Sequence, residues 1–392
     1  MPYGSSTASK AAQYLPEEPA VVERAEGCRV VDMDGREFID FRNGLGPITL
    51  GYAYPEVNQA IAEQLARGIV FSHPHRLECE VAELITEVIP CAEQARFLKT
   101  GGEANAACFR LARAFTGREH IIQVGYNGWI NSVAPRGQFR PGVEAEGVPP
   151  GVPAGLAAVH HAAGWNDIEG IKAIFDAYPG QIAAVCVAAA YASMDKGKTF
   201  YPALYELTRE QGALLIYDEI VTGFRIALGG VQEHFGVAPD LAVFAKGVAN
   251  GMPLSVYCGR RDVMSTCDRG GKTVISSTYG GESLSLAAAK AVIDIYRREN
   301  VIEHLWHQGE RMWGTVNSML EKKGVPLSLK GYWPCPQFSP GPDAPPDLMA
   351  RVFRSAYRHG VILYNVSYVN FSHKDGDIDE ALERMSRVID EL

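Results

Sequence analysis

From Val21 to Phe41 apolar and polar positions alternate, VVERAEGCRVVDMDGREFIDF, and the alternation breaks at Met33-Asp34-Gly35. A period of two around an Asp-Gly turn predicts a β-hairpin or meander. Beyond it the period lengthens. VNQAIAEQLARG, LECEVAELITEVIP, Glu103–Phe115, IEGIKAIFDAYPG, FYPALYELTREQG and SLSLAAAKAVIDIYRREN carry apolar residues at helical spacing. Short, nearly unbroken apolar runs lie between them: Ala95–Leu98, HIIQV, IAAVCVAAAY, Ala213–Tyr217, Leu241–Phe244 and the strand of VYCG. Buried strands alternating with helices predict an α/β architecture around a mostly parallel sheet. Residues 135–170, rich in Gly, Pro and Ala, show no period and are expected to form a long loop near the pocket. From about Asn300 charged helices and strand fragments around GYWPCPQFSP predict a separate α+β lobe, with Asp377 in the N-cap region of the last helix. The first 20 residues, polar and Pro-containing, read as a loose or partner-contacting arm.

Composition narrows the function more than the fold. The chain has 392 residues, 47% of them hydrophobic, enough for two lobes with a sizeable core. Its formal net charge of -9 and the lack of any Lys/Arg block argue against a nucleic-acid partner. No apolar run approaches a membrane span, and the N-terminus lacks the blocks of a signal peptide. Eight cysteines without a C-x-x-C pair read as free thiols of a reducing compartment, so a cytoplasmic location is expected. Neither His73/His75 nor His160-His161 has the carboxylate spacing of a metal site, and no metal is expected.

The chemistry concentrates between Leu214 and Pro253. One buried run ends on Asp218-Glu219, and the next delivers Lys246 between Ala245 and Gly247. An acid and a lysine after neighbouring strands fall on one edge of a parallel sheet, where open α/β folds bind ligands. That pairing suits pyridoxal phosphate: the amine forms a Schiff base with the aldehyde, and the carboxylate keeps the pyridine nitrogen protonated. Upstream, Thr100-Gly101-Gly102 is a turn feeding a helix, whose backbone N–H groups and dipole suit a phosphate.

YDEIVTGFR followed by APDLAVFAKGVANGMPLS resembles the signature of class III (subgroup II) pyridoxal-phosphate aminotransferases, and the likeness runs from about residue 20 to the end. VDMDGREFIDF followed by GLGPITLGY resembles the glutamate-1-semialdehyde aminomutase-like branch of that family. The resemblance implies a type I fold: a large domain over 61–295 with a seven-stranded sheet, and a small domain built from 1–60 and 296–392. It implies a homodimer in which Thr278 reaches the phosphate in the neighbouring subunit. It also gives Thr100, Gly101 and Gly102 to the phosphate, Tyr126 and Ile220 to opposite faces of the ring, and Arg24 to a substrate carboxylate. Asp218 and Lys246 are the implied catalytic pair, and His373 is expected to close over the cleft.

Three departures from the family pattern stand out. Gly102 replaces a Thr or Ser of the phosphate cup, Asn127 replaces the His of Tyr-His-Gly, and Ala188-Ala189 replaces Glu-Pro. The last loses the glutamate that pairs a switchable arginine in enzymes accepting glutamate. The expected reaction is amino transfer from an amino-acid donor to a carbonyl acceptor, a sugar or cyclitol of secondary metabolism. The alternative is a pyridoxal-phosphate aminomutase or epimerase, which uses the same lysine and aspartate.

Overall fold

The structure, a computed structural model, describes Met1 and residues 4–133 and 148–392. The chain divides into two compact units, Met1–Asn58 with Glu299–Leu392, and Gln59–Arg298. The alternating N-terminal segment forms β1 (Val22–Glu26), β2 (Arg29–Asp32) and β3 (Glu37–Asp40), an antiparallel meander of the first unit. Its second turn uses Gly35 at φ 79°, a conformation that costs glycine little.

Helices α1 (Pro55–Leu65) and α2 (Arg76–Val88) lead to β4 (Gln94–Leu98), α3 (Gly101–Thr116) and β5 (His120–Val124). Then come α4 (Ala154–Ala158), β6 (His160–Ala163), α5 (Ile168–Ala177), β7 (Ile182–Ala188), α6 (Gly197–Gln211) and β8 (Leu214–Asp218). The second unit closes with α7 (Val231–Phe235), β9 (Leu241–Phe244), β10 (Ser255–Gly259), α8 (Arg261–Met264) and α9 (Ser283–Arg298).

Its seven strands run in the order β4-β10-β9-β8-β7-β5-β6. Only β10 is reversed, pairing antiparallel with both β4 and β9. Every residue of β7, β8, β9 and β10 is buried, which is why these strands read as unbroken apolar runs. The face under α3 is filled by Ala104, Ala107, Cys108 and Leu111 of that helix against Ile121, Ala184, Ile216 and Val243 of the sheet. From β5 the chain adds β6 on one side, whereas β7 to β10 build towards the other. The sheet therefore has a switch point between β5 and β7, and the carboxyl ends of its parallel strands meet there.

The first unit resumes with α10 (Val301–Gly309), α11 (Thr315–Lys323), β11 (Leu327–Lys330), β12 (Gln337–Pro340), α12 (Leu348–Arg358), β13 (Val361–Ile362) and α13 (Asp375–Asp390). Strand β13 joins β3 in parallel. His373 is wholly buried inside this unit, its ring stacked on Phe41 at 4.5 Å, and burial holds its pKa down at about 3.

Two expectations need correction. The loose arm is tied down at Gln13–Glu18: the Glu18 carboxylate accepts the Gln13 and Tyr14 N–H groups, and the Tyr14 ring meets Phe353 at 5.7 Å. Of the expected loop 135–170, residues 135–147 lie outside the described residues, but the rest contains α4, β6 and the start of α5. Strand β6, His-His-Ala-Ala, lacks β-branched residues and is held by pairing with Ile121–Val124. Asp377 lies in the N-cap region of α13, as its third residue, and its carboxylate accepts the Lys374 N–H. Among the described residues no helix is long and apolar enough to cross a membrane.

Candidate active site

Asp218 is the last residue of β8, paired with Ala188 at the end of β7 and with Val243 in β9. It is 7% exposed, and burial pushes its pKa up. Three donors oppose that push. Asn105 Nδ2 and Asn127 Nδ2 reach Asp218 Oδ2 at 2.8 and 3.2 Å, and the Ile220 N–H reaches Oδ1 at 3.1 Å. Hydrogen bonds to the ionised form favour it.

Lys246 follows β9 after one residue and is partly buried. Burial and the nearby Arg225 charge lower its pKa to about 8, against a smaller opposing pull from Asp218. Its φ of 49° is left-handed, rare for a residue with a side chain. Such strain, of order 1–3 kcal/mol, tends to persist where function needs the geometry. Glu219 faces away from this pair: its buried carboxylate accepts from Thr222 Oγ1 and from the Val231 and Gln232 N–H groups, and burial raises its pKa to about 7.

The first turn of α3 lies at the same sheet edge, after β4. Thr100 is the N-cap: its hydroxyl accepts the Glu103 N–H, and Glu103 returns a carboxylate oxygen to the Thr100 N–H at 2.8 Å. The Thr100 hydroxyl also donates to Glu103 Oε2 at 3.1 Å. Gly101 and Gly102 therefore supply the first-turn N–H groups that helix geometry leaves for an anion. A Cβ on Gly101 would lie 2.2 Å from Ile220 Cδ1, so Ile220 packs directly on this turn; at Gly102 nothing lies closer than 3.8 Å.

Tyr126, after β5, is 51% exposed. A Cβ on Gly125 would sit 3.3 Å from Ala188 Cβ, which brings the β5 and β7 ends together. Thr278 is exposed before α9, and Arg24 is exposed on β1 of the first unit. His160 and His161 point to opposite faces of β6, His160 to Gln123 and Arg113 and His161 to His120. His75 caps α2, its Nδ1 accepting the Leu77 N–H.

The model of the family described as aminotransferase class-III matches residues 11–389. The chain belongs to this family. This class-III aminotransferase is a pyridoxal-phosphate-dependent transaminase. It is similar to a transaminase solved with pyridoxal phosphate bound, at 26% identity over 100% of this chain and 94% of that one, with a TM-score of 0.89. It is also similar to the FumI protein of Sphingopyxis sp. MTA144, solved in its pyridoxal-phosphate internal aldimine form: 25% identity, 100% and 93% coverage, TM-score 0.88. An ω-transaminase of Sphaerobacter thermophilus shares the fold at 24% identity, 98% and 94% coverage and a TM-score of 0.88.

The donor set of this aminotransferase fits the cofactor. A partly buried amine of lowered pKa, a carboxylate that accepts from two amides and a side-chain-free helix start share one sheet edge. Sequence reasoning passed over Asn105 and the charge of Arg225. Asn105 had a signal: it is a polar amide within the apolar stripe Ala104, Ala107, Cys108 and Leu111 of α3. Arg225 stood in the quoted Thr-Gly-Phe-Arg turn, with nothing in its spacing to show its effect on Lys246.

Proposed function

We propose that this transaminase moves an amino group from an amino-acid donor to a bulky carbonyl acceptor, a sugar or cyclitol ketone or aldehyde. The observation that carries the acceptor is Ala188, a small side chain in register with Asp218 at the switch point. No acid stands at positions 188 and 189 to pair an arginine, and the space beside Asp218 is bounded by a methyl group instead.

The geometry around Asp218 and Lys246 supports the following roles. Bound pyridoxal phosphate supplies an aldehyde that takes up nitrogen and a ring that withdraws electrons from the substrate carbon. Lys246 Nζ would hold the cofactor, and on release would carry the proton between the two substrate positions; an amine with a pKa of about 8 is partly neutral near pH 7 and ready for both tasks. Asp218 would hold the proton on the ring nitrogen by charge pairing. The Gly101 and Gly102 N–H groups, with Thr100, would orient the phosphate. Ile220 and Tyr126 would bracket the ring, and Thr278 would serve the site of a second copy in a homodimer. Arg24 would take a substrate carboxylate.

Purified enzyme, supplied with amino acids and with keto-sugar or aldehyde acceptors, tests the reading by mass spectrometry. The expected result is an aminated acceptor with stoichiometric keto acid from the donor. Turnover without keto acid would instead show an aminomutase or epimerase, and amination of 2-oxoglutarate alone would sink the acceptor assignment. Lys246→Ala is expected to fold and to lose multiple turnover, so retained multiple turnover contradicts its role.

A further inference from the structure

A line of buried polar side chains runs from Asp218 along the face of β5 and β6 that α3 covers. Asn127 Nδ2 donates to Asp218 Oδ2, Gln123 Nε2 lies 3.3 Å from Asn127 Oδ1, and Gln123 Oε1 lies 3.0 Å from His160 Nδ1. His160 Nε2 lies 2.9 Å from Arg113 Nη2, and Arg113 Nε donates to the Glu119 carbonyl at 2.7 Å. Asn127, Gln123 and His160 are 2%, 9% and 0% exposed. On α3, Asn105 stands at the near end of this line and Arg113 at the far end, eight residues or about 12 Å apart along the helix.

Arginine can only donate, and that fixes every other bond in the line. The His160 Nε2 must accept from Arg113, so the ring proton sits on Nδ1 and is given to Gln123 Oε1. The Gln123 amide is then oriented with Nε2 towards Asn127 Oδ1, and Asn127 has its own NH2 left for Asp218. Asn105 Nδ2 braces the same corner by donating to the Asn127 backbone carbonyl, at 2.8 Å, and to Asp218 Oδ2. A flipped amide anywhere in the line would set carbonyl against carbonyl or carbonyl against carboxylate in a buried place, where an unsatisfied polar group is costly.

We infer that Arg113, His160 and Gln123 are positioning residues: they set the direction of a chain of donors that ends on Asp218 and keeps its carboxylate charged opposite the cofactor nitrogen. None of the three touches the reacting atoms. The inference rests on the role of Asp218 given above, and it explains how an asparagine serves at position 127. An Asn amide can be aimed by its neighbours, with its acceptor held by Gln123 and its donor turned to the acid.

The test starts with the cofactor-free wild-type protein. The nitrogen NMR signals of His160 at neutral pH are expected to show a proton on Nδ1 and none on Nε2; the opposite tautomer overturns the inference. The second arm loads wild type, His160→Phe, His160→Gln and Asp218→Asn with nitrogen-labelled pyridoxal phosphate. It reads the pyridine-nitrogen signal and the cofactor dissociation constant. His160→Phe is expected to move the signal towards the unprotonated ring and to weaken cofactor binding about tenfold, the scale of one hydrogen bond to a charged group. His160→Gln, which offers an oxygen to Arg113 and an NH2 to Gln123, is expected to restore most of both. A folded His160→Phe protein with wild-type signal and affinity overturns the inference. Asp218→Asn separates the failures: if it too leaves the ring signal unmoved, the role of Asp218 falls; if it moves the signal and His160→Phe does not, only the donor chain falls. The tautomer measurement needs no variant, so it decides the matter even where His160→Phe does not fold.

Discussion

Lys246 shows how far a single residue is bent to its task. The residue is partly buried, and burial lowers the pKa of its amine from 10.5 to about 8. At 1.36 kcal/mol per unit, that shift is a cost of about 3 kcal/mol to the cofactor-free protein wherever the lysine must be charged. The sign follows from proton counting. Between pH 8 and 10.5 the unfolded chain holds a proton that the folded chain has released, so wild-type stability gains from this group as pH rises through that window. Below pH 8 both states are protonated and the cost is constant. Lys246→Met, in the cofactor-free state, is therefore expected to be more stable than wild type at pH 6–7 by up to about 3 kcal/mol. That advantage should shrink above pH 8. Denaturant unfolding at several pH values checks this, and a pH-independent difference would show that the amine is not shifted. Reaction of the wild-type amine with an amine-selective reagent should rise with a midpoint of about pH 8.

At the scale of elements, the start of α3 shows how two adjacent glycines do different work. Gly101 has Ile220 against it, so Gly101→Ala would drive the methyl into Ile220 Cδ1 and displace the side chain proposed to cover the ring. Gly102 has open space, and a serine there would add a hydroxyl beside the first-turn N–H groups without a clash. Cofactor affinity by equilibrium dialysis is expected to fall at least tenfold in Gly101→Ala and to rise several-fold in Gly102→Ser, the scale of one charge-assisted hydrogen bond. Equal effects of the two changes would show that the turn does not discriminate between them. The helix itself, its Gly117 stop and the strands β7 to β9 were legible in the chain because burial on both sides writes continuous apolar runs and a helix face writes its own period. Strand β6 was not legible, since four residues without β-branching depend on a neighbour for their conformation. The line from Arg113 to Asp218 was equally hidden. A glutamine within HIIQV and a histidine in β6 look like isolated polar interruptions until the register sets them side by side.

At the scale of the whole molecule, the open question is whether one chain makes a complete site. Lys246 is partly buried near the sheet edge, whereas Thr278 is exposed on the approach to α9, beside Tyr279 at 59% exposure and close in sequence to Val274 at 73%. A large apolar pair left in water next to a candidate phosphate ligand fits a surface that a second copy covers. In a symmetric dimer with shared sites, each site takes Lys246 from one chain and Thr278 from the other. Lys246→Ala and Thr278→Asp proteins, each inactive alone, then complement when unfolded together and refolded. The mixed dimer has one site carrying both lesions and one carrying neither. Random pairing makes half of the dimers mixed, so the refolded mixture is expected to recover about a quarter of wild-type activity per site. Light scattering of the same sample should give the mass of two chains. No recovery from a mixture of proven dimers would mean that Lys246 and Thr278 serve the same chain's site, or that Thr278 serves none.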